Sequence, residues 1–216
     1  MTKTYQSFLR QSNAQGREKA DGYDRSHFDG LDDTEREAAF IRLTEEAKYD
    51  HTCFVWLFYL DRNRARATCL ALLQNGELSD ELCPVEAYRC LFVHFGDPAH
   101  QTAMIESSRL VRSAYDKPTA IVIALRAGNS PEVRNYLKEV VLGESDAETV
   151  HTAAFEFLCL YEIPRDSDAN RAIFNHFEEV LRFGSTSEKQ RVLVQVEGGF
   201  APRKRAPQID AATQKP

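Results

Sequence analysis

The 216 residues are enough for one sizeable hydrophobic core, or for a run of repeats that share a continuous one. Acidic side chains outnumber basic ones 33 to 27, a net charge of −6, and 43% of the residues are apolar. This balance lacks the clustered basic face that general nucleic-acid binding needs, and it suits a basic partner better than an acidic one.

In chain order, residues 1–33 read as a polar N-terminal arm. It begins Met1-Thr2-Lys3-Thr4-Tyr5, without the apolar centre of a signal peptide. Between Gln11 and Asp33 its only sizeable apolar side chains are Tyr23, Phe28 and Leu31. Asp33-Thr34-Glu35 then sets a cap before an acidic first turn and predicts a helix over about 34–48, carrying Ala38, Ala39, Ile41, Leu43 and Ala47. The run Cys53 to Leu60 is apolar on every side and too short to cross a bilayer. Asp61 to Arg66 lead from it into Ala67 to Leu73 without a hairpin signal, so the stretch reads as helical and enclosed by neighbours.

Asn75-Gly76 supplies a left-handed stop, and Pro84 opens a helix bearing Ala87, Tyr88, Leu91, Phe92 and Phe95. Gly96-Asp97-Pro98 repeats this punctuation before a helix over about 98–114, with Ala103, Leu110, Val111 and Ala114 on its inner side. Lys117-Pro118 starts the next helix, which Gly128 closes. Three further stretches follow between 130 and 183, opened at Ser130, at Ser145-Asp146 and at Asp166-Ser167-Asp168. In the middle one, Val150, Ala153, Ala154, Phe157, Leu158 and Tyr161 trace one face of a 3.6-residue helix. The third is expected to turn Ile173, Phe174, Phe177, Val180 and Leu181 inward. Ser185 to Glu188 has the form of a capping box and opens a last helix to about Val196, and the residues from Gly198 read as a flexible tail. The expected organisation is an arm at 1–33, a single α-helical domain at 34–197 and a tail at 198–216.

The starts at Asp97, Ser130 and Asp166 are spaced by about the length of a helical hairpin, with Lys117, Asp146 and Thr186 as the intervening starts, and three of the turns read Asp97-Pro98-Ala99, Ser130-Pro131-Glu132 and Asp146-Ala147-Glu148. Over residues 84–197 the chain resembles the HEAT-like α-solenoids, whose paired antiparallel helices begin with such Asp-Pro-Glu-like turns. It departs from them in its uneven spacing and in lacking their Asp-Val-Arg pattern on most second helices. The fold class is therefore all-α, either stacked antiparallel hairpins of the HEAT-like kind or an irregular helical bundle.

Motifs that carry chemistry are sparse. Asp32-Asp33 and Glu178-Glu179 are adjacent carboxylates that point about 100° apart on a helix, a poor geometry for holding a metal or a glycosidic bond. His151 and His176 stand alone, and Cys53, Cys69, Cys83, Cys90 and Cys159 form no CxxC pair, so neither a metal nor another cofactor is expected. Unpaired thiols inside apolar runs suit the cytoplasm. Arg62, Arg64 and Arg66 are expected to scatter around their helix, and Pro202-Arg203-Lys204-Arg205 reads as a solubilising terminus.

A small acidic helical-repeat chain of this type resembles the bacterial immunity proteins that neutralise a cognate toxin, including the HEAT-like families paired with nucleases. The resemblance implies a non-catalytic module that binds a toxin with a basic surface. Glu144, Asp146, Glu148, Glu178 and Glu179 are the candidate contacts. A general helical scaffold or adaptor, and a helical enzyme with a polar cluster inside its stack, are the alternatives; neither nucleic acid nor a membrane is an expected partner.

Overall fold

A computed structural model describes residues 1–15, 22–204 and 206–208. Among these the chain is all-α, with eleven α-helices, no strand, and one isolated antiparallel bridge between Tyr161 and Pro202. The described residues form two compact units, Met1–His100 with Gln208 and Gln101–Pro207, where the sequence suggested one domain over 34–197. The helical pattern runs on through residue 101 without a linker, so nothing in composition marks the division.

Unit 1 contains α1 (Lys3–Ser12), a 3-10 turn at Arg25–His27, α2 (Asp33–Glu46), α3 (Cys53–Leu60), α4 (Arg62–Asn75) and α5 (Leu82–Phe95). α3 packs against α2, α4 and α5, which explains a segment that is apolar all round. The helical run is broken after it: Asp61 is extended at φ −152°, and its carboxylate accepts from the Asn63 and Arg64 amides at 3.0 Å each. A cap that satisfies two orphan donors of α4 makes the break favourable. Gly76 and Gly96 take φ +65° and +73° where α4 and α5 end, as the left-handed stops required.

The N-terminal residues are part of this core, which corrects the expectation of an arm. Phe8 is fully buried, with Tyr5, Tyr23 and Phe28 at ring distances of 5.6 to 5.8 Å. Two buried carboxylates three helical turns apart on α2 hold the ends of α1. Glu35 accepts from the Thr2 amide at 2.6 Å and the Thr2 hydroxyl at 2.7 Å; Glu46 accepts from the Ser12 hydroxyl and from Tyr23 Oη at 2.9 Å. The segment looked detachable because its few buried apolar side chains are widely spaced and the rest of its attachments are polar side chains meeting polar side chains. Residues 16–21 of the expected arm lie outside the described residues.

Unit 2 holds most of α6 (Pro98–Leu110), then α7 (Lys117–Arg126), α8 (Pro131–Gly143), α9 (Ala147–Cys159), α10 (Asp168–Phe183) and α11 (Thr186–Gly199). Ser130, Asp146, Ser167 and Ser185 cap α8 to α11 through their side chains, and Ser185 with Glu188 forms the full capping box. α9 is central, packed against α7, α8 and α10, and its apolar face of Val150, Ala153, Ala154, Phe157 and Leu158 is buried as its periodicity required; Tyr161, expected to continue that face, is buried just beyond the end of the helix. α11 lies against α8 and α10.

Leu110, Ala114 and Ile173, expected on inner faces, are exposed, and so is Ile41 of α2. α6 stops at Leu110 rather than running to Ala114, so Val111 turns inward while Leu110 faces solvent. The expected tail is also held down over its first residues. α11 continues to Gly199, the Glu162 amide donates to Ala201 O at 2.9 Å, and the Arg203 amide donates to Leu160 O at 2.8 Å. Arg203 Nε donates to Tyr161 O at 2.8 Å, so this basic side chain closes the end of unit 2. Residues 205 and 209–216 of the expected tail lie outside the described residues.

Candidate partner-binding surface

In unit 2, α6, the connection at residues 111–116, α7, α8 and the first turn of α9 surround an open pocket of about 460 Å³, whose lining includes Ser108, Arg109, Lys117, Tyr136, Glu139 and Glu144. Four of its charged side chains are arranged as ion pairs. Arg109 grips Glu139 through Nε at 2.9 Å and Nη2 at 2.7 Å, while its Nη1 donates to Glu106 at 2.5 Å. Lys117 Nζ donates to Glu144 at 2.5 Å. The other Glu144 oxygen accepts from the Ser145 and Asp146 amides at 2.7 and 3.0 Å.

These contacts shape the protonation states. The Lys117 ammonium, and then the amides of Asp146 and Ser145, hold the Glu144 carboxyl down at about 2, against the cost of partial burial. Burial pushes the Tyr136 phenol up to about 12, partly offset by a hydrogen bond from Ser108. Tyr136 is therefore a neutral phenol and Glu144 a fixed carboxylate at neutral pH.

Beside the pocket the chain exposes large apolar side chains. Tyr115, on the 111–116 connection, is 89% exposed and Leu110, at the end of α6, is 74% exposed. Neither position reads as exposed and apolar in the sequence: Leu110 fits an inward stripe, and Tyr115 is a single aromatic among polar neighbours. A lone large aromatic in a short connection is the signal that was available for Tyr115.

The five acidic residues singled out from the sequence fall into two groups. Glu144, Asp146 and Glu148 gather at the α8–α9 turn. Glu144 lines the pocket, Asp146 caps α9 through the Thr149 amide at 2.8 Å and hydroxyl at 2.7 Å, and Glu148 is exposed. Glu178 and Glu179 lie on α10, and neither lines the pocket. Glu178 pairs with His151 Nε2 at 3.2 Å and Arg182 Nη1 at 3.6 Å, and Glu179 is exposed. Three of the five thus have structural duties inside unit 2, and Glu148 and Glu179 present their charge to solvent.

Among the described residues no group of three or more His, Cys, Asp or Glu side chains is placed to hold a metal ion. Cys53, Cys69, Cys83 and Cys90 are buried thiols outside any disulfide, and burial first, then nearby carboxylates, pushes Cys83 up to about 12. No helix of the described residues is long and apolar enough to cross a membrane. No protein-family model, curated protein or solved structure matches the chain.

Proposed function

We propose that this chain is a non-catalytic protein-binding module, an immunity protein of the bacterial cytoplasm that binds and neutralises a cognate toxin with a basic surface. The observation that carries the reading is the pairing of exposed Tyr115 and Leu110 with a charged pocket on unit 2 in which Arg109 and Lys117 are internally paired. A Tyr side chain buries about 150–250 Å² on docking and keeps a polar tip, which is why such residues anchor interfaces. Two cations of the pocket beside them, Arg109 and Lys117, are already neutralised, so a partner's polar side chain enters next to them without leaving either unpaired. Glu148 and Glu179 add long-range attraction for a basic surface, which speeds capture and weakens with salt.

The test is co-expression with the products of adjacent genes, read by growth, pull-down and size exclusion. The proposal expects a one-to-one complex with a toxic protein, rescue of growth by this chain, and a loss of affinity of roughly 10- to 100-fold in Tyr115→Ala. Weak binding to several neighbours without rescue favours a general scaffold instead.

A further inference from the structure

The alternating Arg62, Arg64 and Arg66 at the start of α4 separate into two different environments. Arg64 forms a two-pronged pair with Glu37, with Nη2 at 2.8 Å, and covers the Phe40 ring at 4.1 Å. Arg62 and Arg66 are four residues apart and so share a face of the helix. Both lie on the ring of Phe95 from α5, with guanidinium carbons 4.7 and 4.8 Å from its centroid. Both are exposed, and among the described residues neither has a carboxylate partner. The nearby Asp61 carboxylate faces the Asn63 and Arg64 amides, and Asp97 accepts from the Ala99 amide.

The platform beneath them is continuous. Phe95 lies 6.3 Å from Phe58 of α3, and His94 stacks on Phe58 at 4.5 Å with the rings 13° from parallel. Stacking on a ring restrains two long side chains that otherwise lose much rotamer freedom when they engage a ligand. The result is a pair of pre-positioned, uncompensated cations in a chain whose net charge is negative.

We propose that Arg62 and Arg66, held on Phe95, form an anchor in unit 1 for an acidic segment of a protein partner. Guanidinium groups receive carboxylates two-pronged, and one or two carboxylates satisfy both side chains. Nucleic acid is the poorer occupant. Tight duplex binding engages roughly six to ten phosphates, and the acidic chain as a whole repels a polyanion. Aromatic and Arg side chains together are also the composition of protein-interface hot spots. This anchor goes beyond the proposed function, since it concerns the other unit and a partner surface of opposite charge, and it stands or falls independently of the toxin reading.

The experiment uses the full chain and a hexaglutamate peptide at low ionic strength, followed by NMR through the Nε–Hε signals of the arginines. The expected result is a saturating shift of Arg62 and Arg66 but not Arg64, with apparent affinity falling at least fivefold in Arg62→Gln/Arg66→Gln and unchanged in Arg64→Gln. Far-ultraviolet circular dichroism and melting of each variant separate loss of binding from loss of fold. Hexathymidylate binding more tightly than the peptide overturns the assignment to a protein partner. Equal shifts at all three arginines, no shift, or retained affinity in the double variant overturns the anchor itself.

Discussion

Glu144→Gln removes a single charge from the best-connected carboxylate of the pocket. In the native chain that charge receives three donors, the Lys117 ammonium and the amides of Ser145 and Asp146, and it ties the start of α7 to the α8–α9 turn. Glutamine that keeps its oxygen for the amides turns its NH2 toward the Lys117 ammonium, donor against donor, so the ammonium contact is lost. A charge-assisted hydrogen bond contributes roughly 1.5–3 kcal/mol, and screening at a Lys117 side chain 27% exposed reduces the loss to about 1–2 kcal/mol. For a unit of this size that corresponds to a fall in Tm of roughly 5–15 °C.

The pH dependence distinguishes this cause from a packing defect. The carboxyl is held at about 2, below its ordinary 4.5, so its contribution is fully present above 4.5 and is lost as the pH falls toward 2. Thermal melts followed by circular dichroism at pH 7 and pH 3 are therefore expected to show a clear gap between native and Glu144→Gln chains at pH 7. At pH 3 the gap shrinks to less than about half. A gap of the same size at both values, or none at pH 7, refutes the assignment of the contribution to charge.

Other perturbations test the architecture. Phe8→Ala empties a fully buried ring site among Tyr5, Tyr23 and Phe28, and is expected to cost about 3–5 kcal/mol in a urea titration, where a loose arm would cost nothing measurable. Glu86→Gln removes the compensating negative charge beside Arg89 in a pair whose side chains are each 2% exposed; a loss of about 3–5 kcal/mol is expected, while Glu86→Leu with Arg89→Met stays close to native. Gly184→Ala places a Cβ 2.6 Å from Val180 O, and because φ is an ordinary −69° the expected drop in melting stability is steric; Gly198→Ala, with open space around it, serves as the control.

The helices were legible because their ends carry local chemistry. Ser130, Asp146, Ser167 and Ser185 cap where the sequence places caps, and the α9 face is buried as its period requires. What periodicity missed was decided by single polar contacts. Asp61 splits a helical run by capping α4, and Glu35 and Glu46 recruit Thr2, Ser12 and Tyr23 into a segment that composition alone assigns to solvent. The candidate surface was less legible still. Glu144 stood out as an acidic residue near a helix start, but its pairing with Lys117 joins residues 27 positions apart, a separation that no local pattern encodes. Tyr115 and Leu110 matter because α6 ends four residues early, and the sequence from 110 to 114 continues a plausible inward stripe.

The most direct measurement is calorimetric titration of the full chain with a co-expressed neighbouring toxin, native against Tyr115→Ala and Leu110→Ala, beside the growth-rescue assay. The account expects a stoichiometry of one, affinity that weakens with salt, and loss of both binding and rescue in the two variants. A complex that forms and rescues growth equally well with both side chains removed contradicts the placement of the partner on this surface, and no toxic partner among the neighbours contradicts the immunity reading.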